Sequence, residues 1–157
     1  MPESLSSDNS LTLLTDEVVR LQGRLKSLFA DVHGGTGLST MEDVVLTAVI
    51  ASRQPPTVPQ IGRSLGHPRQ VIQRAANALM DAGLIEKAPN PHHKRATLLL
   101  ATEQGLALKR DADRQALTVA SKFLDSYPVG KCERLVEELR ELRQAIEMFS
   151  RSAKSNY

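Results

Sequence analysis

The sequence predicts a mainly α-helical fold carrying one small two-stranded β-ribbon, and three observations predict it. Apolar residues recur at spacings of three and four over most of the chain. Aromatic residues make up only 3%, with three Phe, two Tyr and no Trp, so the core rests on Leu, Val, Ile and Ala, which suits packed helices better than a β-sandwich. Two short apolar runs around a turn-rich loop interrupt the helical period between residues 84 and 101. A length of 157 residues suits one compact domain. With 41% hydrophobic and 24% charged residues, neither a disordered chain nor a fibrous repeat is expected.

The first helix carries Leu11, Leu14, Val18, Leu21, Leu25 and Leu28, a heptad-like stripe. Gly23 sits inside it at modest cost. His33-Gly34-Gly35-Thr36-Gly37 reads as a helix stop and linker, since it follows a helix and lacks the Lys-Ser/Thr ending of a phosphate-binding loop. Ser39-Thr40-Met41-Glu42 has the form of a capping box and opens a helix through Val44, Val45, Ala48, Val49 and Ala51, which Pro55 and Pro56 break. Thr57-Val58-Pro59-Gln60 repeats that signal and opens a short helix with Val58, Ile61 and Leu65 inward, ended by Gly66. His67-Pro68 starts the next helix, whose apolar face includes Val71, Ile72, Ala75, Leu79 and Ala82 before Gly83 stops it.

Leu84–Ala88 and Ala96–Ala101 are short enough for strands, and the basic loop from Pro89 to Arg95 joins them. Such a ribbon is marginal alone and needs the preceding helices to pack on. A long helix begins at Thr102-Glu103, with Leu106, Arg110, Asp113, Leu117, Ala120 and Leu124 in one seam. Tyr127-Pro128-Val129-Gly130 interrupts it. The last helix carries Cys132, Leu135, Leu139, Leu142, Ile146 and Phe149, and the polar tail from Ser152 is expected to fray.

The net charge of +2 hides an asymmetry. Residues 53–95 hold Arg53, Arg63, Arg69, Arg74, Lys87, Lys94 and Arg95 against Asp81 and Glu86, a local charge of +5. The remaining 13 basic and 16 acidic side chains leave the rest at −3. A basic middle between acidic flanks suits a segment that faces a polyanion. Two helices joined by a tight Gly-containing turn, followed by a basic-tipped ribbon, form a winged helix-turn-helix. Its second helix opens with Arg69, Gln70, Gln73 and Arg74, side chains able to make bidentate contacts to guanine and adenine edges in a major groove. The loop brings Lys94 and Arg95, with His92 and His93 beside them, to an adjacent backbone or minor groove.

These residues resemble the MarR-type (multiple antibiotic resistance regulator) winged-helix transcription factors. The resemblance rests on Leu38-Ser39, on Ile61-Gly62-Arg63-Ser64-Leu65, on Leu79-Met80-Asp81-Ala82-Gly83-Leu84-Ile85, on the wing Asn90-Pro91-His92-His93-Lys94-Arg95, and on Ala101-Thr102-Glu103-Gln104-Gly105. It implies that Pro68, Arg69, Gln70, Gln73 and Arg74 read double-stranded DNA and that the wing touches an adjacent groove. The wing departs from the family pattern: Asn90 and His93 stand where acids are usual, and His92 where Arg is often found. The resemblance also implies a repressor bound to a palindromic operator and released by a small aromatic or phenolic effector. Five aromatic residues and no obvious anion clamp give that ligand no signal of its own.

The apolar seams at both ends favour a homodimer joined through Leu11, Leu14, Val18, Leu21, Leu135, Leu139, Leu142, Ile146 and Phe149. A dimer would also set two recognition helices about one turn of DNA apart, roughly 34–36 Å. The expected organisation is a disordered N-terminus (1–9), an N-terminal dimerisation helix and linker (10–37), a winged helix-turn-helix (38–102), long C-terminal dimerisation helices (103–151) and a tail (152–157).

Competing readings are weaker. No Ser/His/Asp set, apolar carboxylate pair or metal-binding helix motif supports an enzyme. No cofactor or metal is expected, because His92-His93 has no spaced Cys or carboxylate partner and suits an exposed turn. Cys132, on an apolar stripe, reads as a buried packing residue rather than a redox sensor. The longest apolar run, Val44–Ala51, is far short of the roughly 20 residues of a membrane helix. The polar N-terminus lacks a secretory pattern, and a single Cys fits a reducing compartment, so a cytoplasmic protein is expected. The rival within the fold class is a winged-helix adaptor that binds protein without reading DNA, which would turn apolar or acidic residues outward where Arg69, Gln70, Gln73 and Arg74 stand.

Overall fold

A computed structural model of the chain describes residues 9–155. Its elements run α1 (Ser10–Leu28), α2 (Ala30–Thr36), α3 (Thr40–Ala51), α4 (Val58–Leu65), α5 (Arg69–Asp81), β1 (Ile85–Ala88), β2 (Leu98–Ala101), α6 (Glu103–Leu124) and α7 (Val129–Ser155). The strands pair antiparallel, from Ile85 opposite Ala101 to Ala88 opposite Leu98. The chain divides into two compact units within α6, between Ala116 and Leu117.

Local chemistry sets the helix ends in the first unit. Ser39 Oγ accepts from the Glu42 amide at 3.3 Å while the Ser39 amide donates to Glu42 at 3.1 Å, so both halves of the capping box are made. Thr57 and Gln60 repeat the exchange at the start of α4, with distances of 2.8 and 3.4 Å. Gly66 ends α4 at φ 68°, the left-handed conformation that a glycine adopts without penalty. Gly62 is constrained differently. A Cβ there would lie 3.0 Å from the His67 carbonyl and 3.7 Å from Ile72, so α4 and the turn before α5 meet closely enough that a side chain would crowd the His67 carbonyl.

The core lies where α3, α4, α5 and the ribbon converge. Leu46, Ile72, Leu79, Ile85, Leu99 and Val45 are almost wholly excluded from solvent. The ribbon is anchored on both sides: β1 pairs with β2, and the Leu99 amide donates to the Pro56 carbonyl at 2.8 Å. Thr102 then ties α6 to the end of the recognition segment. Its hydroxyl donates to the Gly83 carbonyl at 2.7 Å and accepts from the Gly105 amide at 3.1 Å, capping α6 as it docks.

Several expectations need correction. The glycine cluster is not a linker, because α2 continues through Gly34 and Gly35 and stops only at Gly37, which has φ 69°. Buried Val32 and the His33–Asp43 approach of 3.8 Å hold that turn against α3, and anchoring outweighs the propensity cost of two glycines. Val71 is exposed, while its neighbour Ile72 is fully buried. At about 100° per residue Val71 lies a quarter-turn off the line of Ile72, Ala75, Ala76 and Leu79. Ala82 also faces solvent, past the end of α5. Cys132 is half-buried rather than buried. No tail begins at Ser152, because α7 runs on to Ser155 with Ser152 Oγ bonded back to the Met148 carbonyl. The expectation of a disordered start falls, apart from Asn9 at the head of α1, outside the described residues.

Candidate nucleic-acid interface

The second helix of the helix-turn-helix presents two chemically distinct faces. Ile72, Ala75, Ala76 and Leu79 face the core. Arg69, Gln70, Gln73, Arg74 and Asn77 line a shallow groove on the opposite side. All five carry donors suited to base edges or phosphates, and the groove holds no acid. Among the described residues no carboxylate comes within ion-pair distance of Arg69 or Arg74, so both guanidiniums are available to an external anion. Pro68 stands at the N-cap of α5 with extended ψ 142°, and its carbonyl accepts from the Val71 and Ile72 amides. The helix N-terminus is therefore free of a capping side chain and solvent-exposed.

Asn77 was not among the residues read from the sequence. It lies four residues beyond Gln73, three beyond Arg74 and seven beyond Gln70, and that spacing alone places it on the outward face. Its Oδ1 accepts from Gln73 Nε2 at 3.0 Å.

The wing loop is held by its own backbone. Asn90 Oδ1 accepts from the His92 amide at 3.0 Å, the Asn90 carbonyl accepts from the His93 amide at 3.3 Å, and the His93 carbonyl accepts from Ala96 at 3.1 Å. Asn90 thus organises the turn as an Asx motif, without the acid usual at that position. His92, His93, Lys94 and Arg95 are all exposed, and neither Lys94 nor Arg95 has a carboxylate partner among the described residues. No group of three or more potential metal ligands gathers there or elsewhere among the described residues.

The residues expected at a dimer contact are exposed or half-buried. Leu11, Val18 and Leu21 on α1, and Leu135, Leu139, Ile146 and Phe149 on α7, are exposed large apolar side chains, Phe149 to 76%. Leu14 and Leu142 are half-buried. A separate groove of about 840 Å³ opens between α3, the Pro55-Pro56 bend and α4. Its lining mixes Val44, Ala48, Ile61 and Leu65 with the polar Thr47, Gln60 and Ser64 and the charged Asp43 and Lys109. Lys109 Nζ is paired with Asp113 at 2.7 Å. No described helix is long and apolar enough to cross a membrane.

Comparison with known proteins places this geometry. A sequence profile of the MarR family matches residues 36–96, which span α3 to the wing. An uncharacterised protein of Mycobacterium tuberculosis is 30% identical over 145 residues, covering 85% of this chain and 96% of its own. The transcriptional regulator BldR of Sulfolobus solfataricus superposes with a TM-score of 0.75 at 16% identity, over 90% of this chain and 99% of its own. CouR of Rhodococcus jostii, bound to p-coumaroyl-CoA, gives 0.69 at 20% identity over 92% and 96%. The repressor CouR on a 23-mer DNA duplex gives 0.74 at 20% identity over 89% and 99%.

Proposed function

The chain belongs to the MarR family, whose members are transcription regulators rather than enzymes, and on that premise we propose that it is a homodimeric, cytoplasmic repressor that reads a palindromic operator. The observation that carries this reading is the outward face of α5, where two unpaired guanidiniums and three amides stand together without an acid. Arg69, Gln70, Gln73 and Arg74 contact base edges and nearby phosphates in the major groove. Pro68 sets the helix start. Lys94 and Arg95, flanked by His92 and His93, contact the wing-side backbone or minor groove. A protein adaptor would need an apolar or acidic face there, whereas the five side chains lining that face are basic or amide, and the exposed large apolar side chains lie mostly on α1, α6 and α7, with Val71 on α5 outside that groove.

Small-molecule control fits the groove beside α3 and α4. Val44, Ala48, Ile61 and Leu65 offer an apolar contact surface and Thr47, Gln60 and Ser64 offer hydrogen-bonding groups, which suits a small aromatic or phenolic effector. CouR, a structural neighbour at 20% identity, is bound to p-coumaroyl-CoA, whose acyl part is phenolic. Such a ligand releases DNA only to the extent that it binds the released state more tightly.

Selection of the full-length protein against a random duplex library at near-physiological salt tests the reading. An inverted repeat with half-sites about one turn apart is expected. Against that operator, Arg69→Ala should relax preference at one base pair by about 1–3 kcal/mol. Lys94→Ala should weaken all sequences alike and lower the salt slope by about one. Salt-sensitive binding with no enriched motif would overturn the operator-reading proposal in favour of a non-specific anchor.

A further inference from the structure

Among the four α5 side chains assigned above to base edges and nearby phosphates, Gln73 is set apart. Arg69, Gln70 and Arg74 are exposed, whereas Gln73 is half-buried and joined to Asn77 by a 3.0 Å hydrogen bond. We infer that Asn77 is a positioning residue that holds Gln73 ready to read one adenine in each half-site. This rests on the DNA-reading function proposed above and assigns a specificity role to a residue outside it.

The hydrogen-bond inventory supports the choice of base. A glutamine amide has two N–H donors and one carbonyl acceptor. The bond to Asn77 uses one N–H of Nε2. The second N–H and Oε1 remain, and that adjacent donor–acceptor pair matches adenine, which offers N7 as acceptor and N6–H as donor in the major groove. Guanine offers two acceptors there, so Oε1 would face another lone pair.

The same bond decides where discrimination concentrates. A free, flexible side chain loses rotamer freedom on binding, at a cost of about 0.5–1.5 kcal/mol. Gln73 meets part of that cost within the folded protein. Rotameric freedom also lets a side chain satisfy a wrong base in another pose, and the tether removes many such poses. The arginines, unrestrained and charged, suit phosphates and guanine. Asn77 reaches this role from its place in the helix, one turn beyond Gln73 along the outward face.

The test uses the full chain with the operator found by selection and duplexes substituted at each base pair in turn. Gln73→Ala is expected to abolish preference at one A·T pair per half-site. Asn77→Ala should reduce preference at that same pair by about threefold to tenfold, leave other positions unchanged, and have no further effect in the Gln73→Ala background. Asn77→Asp retains an accepting oxygen and should keep the preference while weakening binding to every duplex through its charge. Ala is a good helix former at this exposed site, so loss of fold does not confound the result. Three outcomes would overturn the inference alone: an unchanged profile for Asn77→Ala, an effect at a different base pair, or an equal effect with and without Gln73. A wild-type protein that selects no motif would overturn the operator-reading function together with it.

Discussion

At Gly105 an added methyl group would run into the Leu84 carbonyl, and that carbonyl cannot step aside because it already accepts from the Thr102 amide at 3.0 Å. Thr102 in turn holds Gly83 and caps α6. Gly105→Ala should therefore lower stability by about 1–3 kcal/mol or more, the range for forced overpacking, read as a fall in the denaturation midpoint. Gly23 makes the opposite prediction. Nothing lies within 4 Å of a Cβ built there, its φ is helical, and it stands on the side of α1 away from the Leu11–Leu28 stripe. Gly23→Ala should raise stability by about 0.4–1 kcal/mol by restricting the unfolded chain and favouring the helix. If Gly105→Ala left the midpoint unchanged or raised it, the close approach of α6 to Leu84 would be wrong; if Gly23→Ala lowered it, the open site on α1 would be wrong.

The elements depend unequally on their caps. Thr57 is buried and its side chain and amide both engage Gln60, so α4 begins at a fixed point directly after the Pro56 carbonyl that receives Leu99. Thr57→Ala removes an accepting oxygen from a buried helix start and should cost about 1–2 kcal/mol, measured by chemical denaturation. Ser39→Ala, at an exposed cap, should cost less. These starts were legible because a capping box is a short pattern with a local cause, and Gly37, Gly66 and Gly83, all at positive φ, mark further local requirements. The two β-strands were legible to their last residues, Ala88 and Ala101, and within two residues at their starts. Where tertiary contact decides, the sequence misleads: Gly34 and Gly35 stay helical because Val32 is buried, and Val71 faces out because the core is narrower than its apolar run suggests. The outward face of α5 was legible in four of its five members. For Asn77 the sequence offers only its helical spacing, which points outward; its Gln73 bond is a matter of side-chain geometry.

For the whole molecule, the exposed apolar faces of α1 and α7 set the decisive physical question. Burying a half-exposed Leu or Ile completely gains about 1 kcal/mol, whereas association costs at least about 4 kcal/mol and up to 15. No single side chain can carry a dimer, but nine acting on each protomer can. Leu139→Ala alone should leave the assembly intact. Leu139→Glu with Ile146→Glu places two carboxylates on the α7 stripe, where each would lose its water on association without a designed partner. Sedimentation should then find the wild-type chain at twice its 17.2 kDa mass and the double variant at the single mass, with helical content retained. The same variant should lose operator affinity steeply, because each monomer then engages one half-site without the local concentration its tethered partner supplied. Its binding to an isolated half-site should barely change, since α5 and the wing lie in the other unit of the chain. A wild-type chain that sediments as a monomer, or a monomeric variant that keeps full operator affinity, would separate DNA reading from dimerisation and overturn the palindromic mechanism.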